Sequence, residues 1–278
     1  MKDSRHNSRL SRRRFLGGAA LGAAGLVGGA TVLNTYHFEI SRHRLAMPGL
    51  KRPLRVVQLS DLHYGPFIKE GSLEAWVAAT MAESPDLIVI TGDFVDTALE
   101  DGLAPLGRAL AELHAPLGVW GVWGNHDYGR FPGTNLEILE TRVRQAGVRV
   151  LVNEGAEVRD DLYLAGIDDA RKRIRQVLRD RPSDRACLML LHNPIVFFEY
   201  DVSVAADLTL CGHTHGGQVK LPVLGPLLLP EGYGWRFVDG WFETPNPTYI
   251  SRGLGVSVLP VRFNCPAELA VFDLEPQL

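Results

Sequence analysis

A chain of 278 residues can fold around one sizeable hydrophobic core or two small ones. With 46% hydrophobic and 22% charged residues it is neither disordered nor fibrous. The formal net charge is −3, but residues 1–14 carry +5 and leave −8 on the remainder. An acidic body is a poor match for phosphate backbones, so no nucleic-acid partner is expected.

The N-terminus reads as an address. Ser11-Arg12-Arg13-Arg14-Phe15-Leu16 leads into a Gly/Ala-rich apolar stretch that runs to about Leu33. A basic region followed by a moderately apolar segment is an export signal rather than part of a fold. It resembles a twin-arginine signal, which implies the twin-arginine export machinery as a partner and a periplasmic or other extracytoplasmic location. Small-residue cleavage spacing is absent before Tyr36, so release and N-terminal membrane anchoring both stay open. Residues 1–35 are assigned to this signal or anchor, 36–47 to a connecting segment, and 48–278 to one catalytic domain.

From Leu54 the pattern alternates between buried strands and amphipathic helices. Strands are expected at Leu54–Leu59, Leu87–Thr91, Val119–Trp123 and Val148–Val152. Helices are expected at Ser72–Glu83, closed by Pro85, around Leu103–Leu113, and near Thr134–Ala146. Continuous apolar strands between helices indicate a parallel or mixed sheet covered by helices. The second half is strand-rich: Val158, Leu162–Ile167, Ala186–Leu191, Leu208–Cys211, Pro247–Ser251, Val256–Val261 and Leu269–Leu274. Two sheets packed face to face, with helices outside, satisfy both halves.

Five clusters of metal-type residues follow these apolar runs. They are Asp61-Leu62-His63, Gly92-Asp93 with Asp96, Gly124-Asn125-His126-Asp127, Leu191-His192-Asn193, and Gly212-His213-Thr214-His215. Each falls where a buried strand ends, the usual place for binding and catalytic groups. Neutral nitrogens, carboxylates and one amide oxygen suit two divalent cations sharing a bridging carboxylate. Asp93 is the best bridge, since each oxygen can take one cation. Five of the nine histidines lie in these clusters; His6, His37, His43 and His114 lie outside and receive no role. Cys187, Cys211 and Cys265 form no close pair and read as small buried hydrophobes. Cys211 beside Gly212 is weighed as a soft ligand and set aside against an oxygen-rich donor set.

The order of these motifs resembles the calcineurin-like metallophosphoesterase family over the whole body from Leu54. The extended Gly212–Gln218 motif and Ser251-Arg252-Gly253-Leu254-Gly255 are similar to its exported or membrane-associated bacterial branch. The resemblance implies a four-layer α/β/β/α sandwich of two mixed sheets flanked by helices. It implies one metal on Asp61, His63, Asp93 and His215, and a second on Asp93, Asn125, His192 and His213. It gives His126 the role of general acid beside the scissile phosphate, with Asp127 holding and polarising that imidazole; the role of Asp96 stays open. Two divalent ions, manganese favoured and iron or zinc as alternatives, would hold a bridging hydroxide that attacks a phosphoester substrate in line.

Two segments bear on the substrate. Arg171, Lys172, Arg173, Arg175, Arg179 and Arg181 against Asp180 form either a solvated helix face or a surface for anionic phospholipid. Leu221–Pro230 is apolar and proline-broken, hence a loop packed over the core or an exposed rim for an acyl chain. With the N-terminal segment they make membrane lipid a candidate partner and a lipid-linked phosphodiester a candidate substrate. Rival readings are a phosphomonoesterase of the same fold, a non-catalytic exported metal-binding scaffold, and a dinuclear iron redox protein.

Overall fold

Ten of the residues expected to connect signal and domain instead form the first strand, β1 (Phe38–Met47). It pairs in parallel along its whole length with the last strand, β14 (Ala267–Pro276). It is an edge strand with one wet face, and Ser41, Arg42, His43 and Arg44 follow one another in its middle, so it shows no continuous apolar run. Arg42 and Arg44 on that face pair with Glu83 and Glu275. The domain therefore begins earlier than residue 48. The computed structural model describes residues 35–96, 102–129, 135–169, 173–195, 206–230, 237–243 and 246–277. The segment expected to be an export signal or anchor lies, apart from Thr35, outside the described residues. Among the described residues, no helix is long and apolar enough to cross a membrane.

The remaining strands are β2 (Leu54–Leu59), β3 (Leu87–Thr91), β4 (Val119–Val122), β5 (Val148–Val150), β6 (Glu154–Arg159), β7 (Leu162–Ile167), β8 (Ala186–Leu191), β9 (Leu208–Cys211), β10 (Lys220–Leu221), β11 (Gly225–Pro226), β12 (Gly240–Phe242) and β13 (Thr248–Ile250). One six-stranded sheet has the order β1-β14-β2-β3-β4-β5 and the other β12-β13-β9-β8-β7-β6. Both are mixed: β2, β3, β4 and β5 run parallel, as do β7, β8, β9 and β13, while β14–β2, β6–β7 and β12–β13 are antiparallel.

Side chains alternate across each strand, and in the central strands both faces are dry. Val56, Val89 and Val122 meet Leu164, Leu188 and Leu210 between the sheets. On its outer face the first sheet buries Val57, Ile88 and Ile90 under α1 (Glu70–Ala82), α2 (Ala104–Ala111) and α3 (Leu136–Gln145). The second sheet buries Ala165, Met189 and Cys211 with Ile174, Val177 and Leu178 of α4 (Ile174–Arg179). Two mixed sheets flanked by a few helices give the expected sandwich.

Local sequence explains the helix ends. In α3 the Asn135 side chain accepts from the Glu137 and Ile138 N–H groups, a cap worth about 1 kcal/mol. Of the basic segment, Arg173, Arg175 and Arg179 are exposed around the buried stripe of α4, while Arg181 is half-buried with Nη1 3.5 Å from Asp207 Oδ2; Arg171 and Lys172 lie outside the described residues. Val256–Val261 is not a strand. Val258 takes a φ of 65°, which breaks extended geometry, and the segment is a loop. Nor is Leu221–Pro230 packed wholly over the core: it forms the β10–β11 hairpin with an exposed tip.

Candidate metal centre

The five clusters leave the ends of β2, β3, β4, β8 and β9 and meet at one edge of the sandwich. Getting there requires unusual backbone. Asp61 (φ 53°), His63 (46°), Asp93 (53°), His213 (75°) and His215 (51°) are all left-handed, a conformation costing roughly 1 kcal/mol or more for each non-glycine residue. Hydrogen bonds between the loops hold it: Asp61 N donates to Gly92 O (3.0 Å), His63 N to Asp93 O (3.0 Å) and Gly212 N to His192 O (2.9 Å). Close approach also requires glycine. A Cβ on Gly124 would stand 2.2 Å from Asp93 Oδ1, and one on Gly212 would stand 2.0 Å from Ser60 Oγ.

Two donor sets result. In the first, His63 Nε2 lies 3.0 Å from His215 Nε2 and 3.4 Å from Asp93 Oδ2, and His215 Nε2 lies 3.4 Å from Asp61 Oδ1. In the second, His192 Nε2 lies 3.2 Å from Asp93 Oδ2, 3.1 Å from Asn125 Oδ1 and 3.1 Å from His213 Nδ1. The sets share one atom. Asp93 Oδ2 faces both, while Oδ1 accepts from His126 N at 2.9 Å. A single oxygen of Asp93 thus stands between the two sets, where one oxygen for each cation is expected from the sequence.

The chemistry of these donors fits two cations. Nitrogen lone pairs converge within hydrogen-bond reach of one another and of carboxylates, where a divalent ion satisfies them together. Burial pulls His63 down to about 4, and it holds His215 well below the ordinary imidazole range, so both favour the neutral ligand form. Burial also opposes charge on His192, but Asp93 and Asp61 outweigh it and lift that imidazole to about 10. A cation held there would take the place of that proton. Burial raises Asp61 to about 6 despite His192, a Ser60 hydroxyl bond at 2.5 Å and the His213 N–H at 2.9 Å.

His126 stands beside both sets. Its Nδ1 lies 3.2 Å from Asp96 Oδ1. Burial works against its charge, yet Asp96 and Asp93 raise its pKa above the usual histidine value. Asp127 does something else, and the expectation that it polarises His126 is corrected. Its Oδ1 accepts from Phe94 N (2.9 Å) and Val95 N (3.3 Å), and its Oδ2 from Gly124 N (2.9 Å). It pins the second and third loops together, with burial and nearby Asp93 pushing its carboxyl up to about 8.

Sequence reasoning passed over several supporting residues. Gln58 Nε2 donates to Thr91 Oγ1 (2.8 Å), which donates to Ser60 Oγ (2.7 Å), which donates to Asp61. The Thr91 carbonyl accepts from His192 Nδ1 at 2.8 Å, turning Nε2 inward. Buried Arg262 donates to the carbonyls of Gly255 (2.6 Å), Arg252 (2.8 Å) and Gly253 (3.0 Å), with Nη2 also 3.4 Å from His215 Nδ1. Polar residues inside strand-length apolar runs were the available signal. Cys211 is buried with its thiol pushed well up by burial, a core residue rather than a donor. Beside the donors lies a cavity of about 490 Å³ lined by Asn125, His126, His213, Leu228, Leu229 and Val258 among others.

A profile of the Calcineurin-like phosphoesterase family matches residues 54–217, a span covering all five clusters. The chain belongs to the calcineurin-like phosphoesterase family. It is 32% identical to the metallophosphoesterase YkuE of Bacillus subtilis, over 96% of this chain and 98% of that protein. It is 30% identical to the phosphodiesterase YaeI of Escherichia coli, over 95% of this chain and 99% of that one. A bovine transmembrane protein with a metallophosphoesterase domain is 30% identical over 92% of this chain and 60% of its own length. Membership makes the chain a phosphoester hydrolase, and its converging His/Asp groups could hold metal ions.

Proposed function

We propose that this chain is a phosphodiesterase that works with two divalent cations. Asp61, His63, Asp93 and His215 hold one, and Asp93, Asn125, His192 and His213 the other, with manganese favoured and iron or zinc accepted by the same donors. The observation that carries this reading is the sharing of Asp93 Oδ2 by two nitrogen–oxygen sets beside a cavity. The cations supply charge neutralisation at the phosphoryl oxygens and a water ionised near neutral pH.

The chain's own residues do the remainder. Asn125 and His213 line the cavity where a phosphoryl group must sit. His126 turns Nδ1 to Asp96, so Nε2 hands its proton to the leaving oxygen. Asp96 keeps the imidazole oriented and charged. Similarity to YaeI supports a diester over a monoester, and a lipid-linked diester suits the apolar half of the cavity wall. The basic and apolar N-terminal sequence supports export by the twin-arginine route, with the chain released or anchored outside the cytoplasm.

Turnover of bis-nitrophenyl phosphate against nitrophenyl phosphate tests the proposal. A higher kcat/KM for the diester is expected; a strong preference for the monoester would assign the chain to phosphomonoesterases instead.

A further inference from the structure

Two loops frame one side of the cavity, and both present apolar side chains to water. The β10–β11 tip exposes Val223 (99%) and Leu224, with Leu227 just beyond, and the loop at 256–262 exposes Val258 (78%) and Leu259. Gln218 ties the loops together: Nε2 donates to Leu259 O (3.2 Å), and Oε1 accepts from Ser257 N (2.7 Å). Lys220 N adds a bond to Phe263 O at 2.9 Å. Leu228, Leu229 and Val258 line the cavity itself, so apolar surface runs from the tips to the donors. Val223 (φ 72°) and Val258 (φ 65°) are β-branched residues in the left-handed region, where their kind is rarely found. Single exposed apolar residues are ordinary, but a contiguous group at the mouth of a site marks an interaction surface.

The chain indicates what covers that surface. Thr35 Oγ1 donates to Pro260 O and accepts from Arg262 N, both at 3.3 Å. Residues 1–34 therefore join the body at the loop that carries Val258 and Leu259. In sequence they are a basic stretch and then the Gly/Ala-rich apolar run ending near Leu33.

We propose that a lipid bilayer covers this rim. With the apolar run 15–33 lodged in the membrane, the Val223, Leu224, Leu227, Val258 and Leu259 side chains dip into the interface, and the cavity opens on the headgroup phosphates. The inference rests on the phosphodiesterase reading above and names its substrate class, the phosphodiester of an acyl lipid. In the reaction an oxygen from water bonds to phosphorus, the P–O bond to the leaving alcohol breaks, and that alcohol takes a proton; no co-reactant but water is needed.

The full-length chain is reconstituted in phosphatidylethanolamine–phosphatidylglycerol vesicles with brominated or unbrominated acyl chains. Val223→Trp should add emission that the brominated vesicles quench, relative to wild type. A triple variant, Val223→Asn with Leu224→Ser and Leu259→Ser, keeps the fold, because asparagine enters the left-handed region more readily than valine. Its ratio of turnover on vesicle phosphatidylglycerol to turnover on bis-nitrophenyl phosphate should fall about tenfold. An unquenched tryptophan with an unchanged ratio overturns the proposal, whether cross-linking then finds a second copy on the rim or the run 15–33 folded back over it. Wild type without turnover of bis-nitrophenyl phosphate sinks the phosphodiesterase reading instead. Wild type that hydrolyses it while the added tryptophan stays unquenched sinks membrane docking alone.

Discussion

Asp96 Oδ1 lies 3.2 Å from His126 Nδ1, whereas the adjacent Asp127 turns both carboxylate oxygens to the backbone N–H groups of Gly124, Phe94 and Val95. Two acids near one imidazole thus divide the work: one orients it, the other holds the loops. Asp96→Asn should slow hydrolysis of alkyl phosphodiesters by about tenfold or more, and nitrophenyl esters less, because a good leaving group needs little protonation. Steady-state kinetics on matched alkyl and aryl diesters reads the split. Equal losses on both would remove Asp96 from proton delivery.

Asp127→Ala should behave differently. It leaves three buried N–H donors without a carboxylate, a loss on the order of 3 kcal/mol. Denaturant unfolding should show the lower midpoint, while the alkyl-to-aryl ratio of the residual activity stays at the wild-type value. A changed ratio with unaltered stability would return the polarising role to Asp127.

Much of the fold is legible because the central strands of both sheets are buried on both faces. The runs at 54–59, 162–167, 186–191 and 208–211 coincide with β2, β7, β8 and β9, since a strand dry on two sides has no polar alternation to blur it. The five clusters are legible for the same reason: each begins where the apolar run stops. An edge strand such as β1 is hard to read, because the polar run Ser41-Arg42-His43-Arg44 breaks its apolar pattern. The loop at 256–262 imitates a strand in its apolar content, but its shape comes from Gln218, far away in sequence from the Ser257 N–H that it accepts, and from Arg262, which folds back onto Gly255 O. Which acid faces His126 is not legible either: the resemblance points to Asp127, its neighbour in sequence, and only the placing of the loops brings Asp96 to Nδ1.

Stability should fall in acid for a reason traceable to Glu268. Burial raises its pKa, but Arg252, whose backbone N–H donates to it at 3.0 Å, and the Tyr249 hydroxyl at 2.7 Å outweigh burial and hold it below 4.5. A depressed folded pKa means that the ionised carboxylate stabilises the fold above about pH 4.5 and that this contribution is lost as pH drops through the folded value. Glu268→Gln should cost about 2 kcal/mol at neutral pH and flatten the acid limb of a Tm-against-pH curve. An acid limb of the variant as steep as that of wild type would place the acid sensitivity elsewhere.

Elemental analysis of purified protein, run beside a phosphodiester assay, decides whether two cations would be held around Asp93. Wild type should bind two equivalents of divalent metal and lose activity on chelation, and Asp93→Ala should lose both equivalents and turnover together, its fold checked by circular dichroism. A folded Asp93→Ala variant that keeps two metals, or a wild-type chain fully active after chelation has removed its metal, would contradict the account.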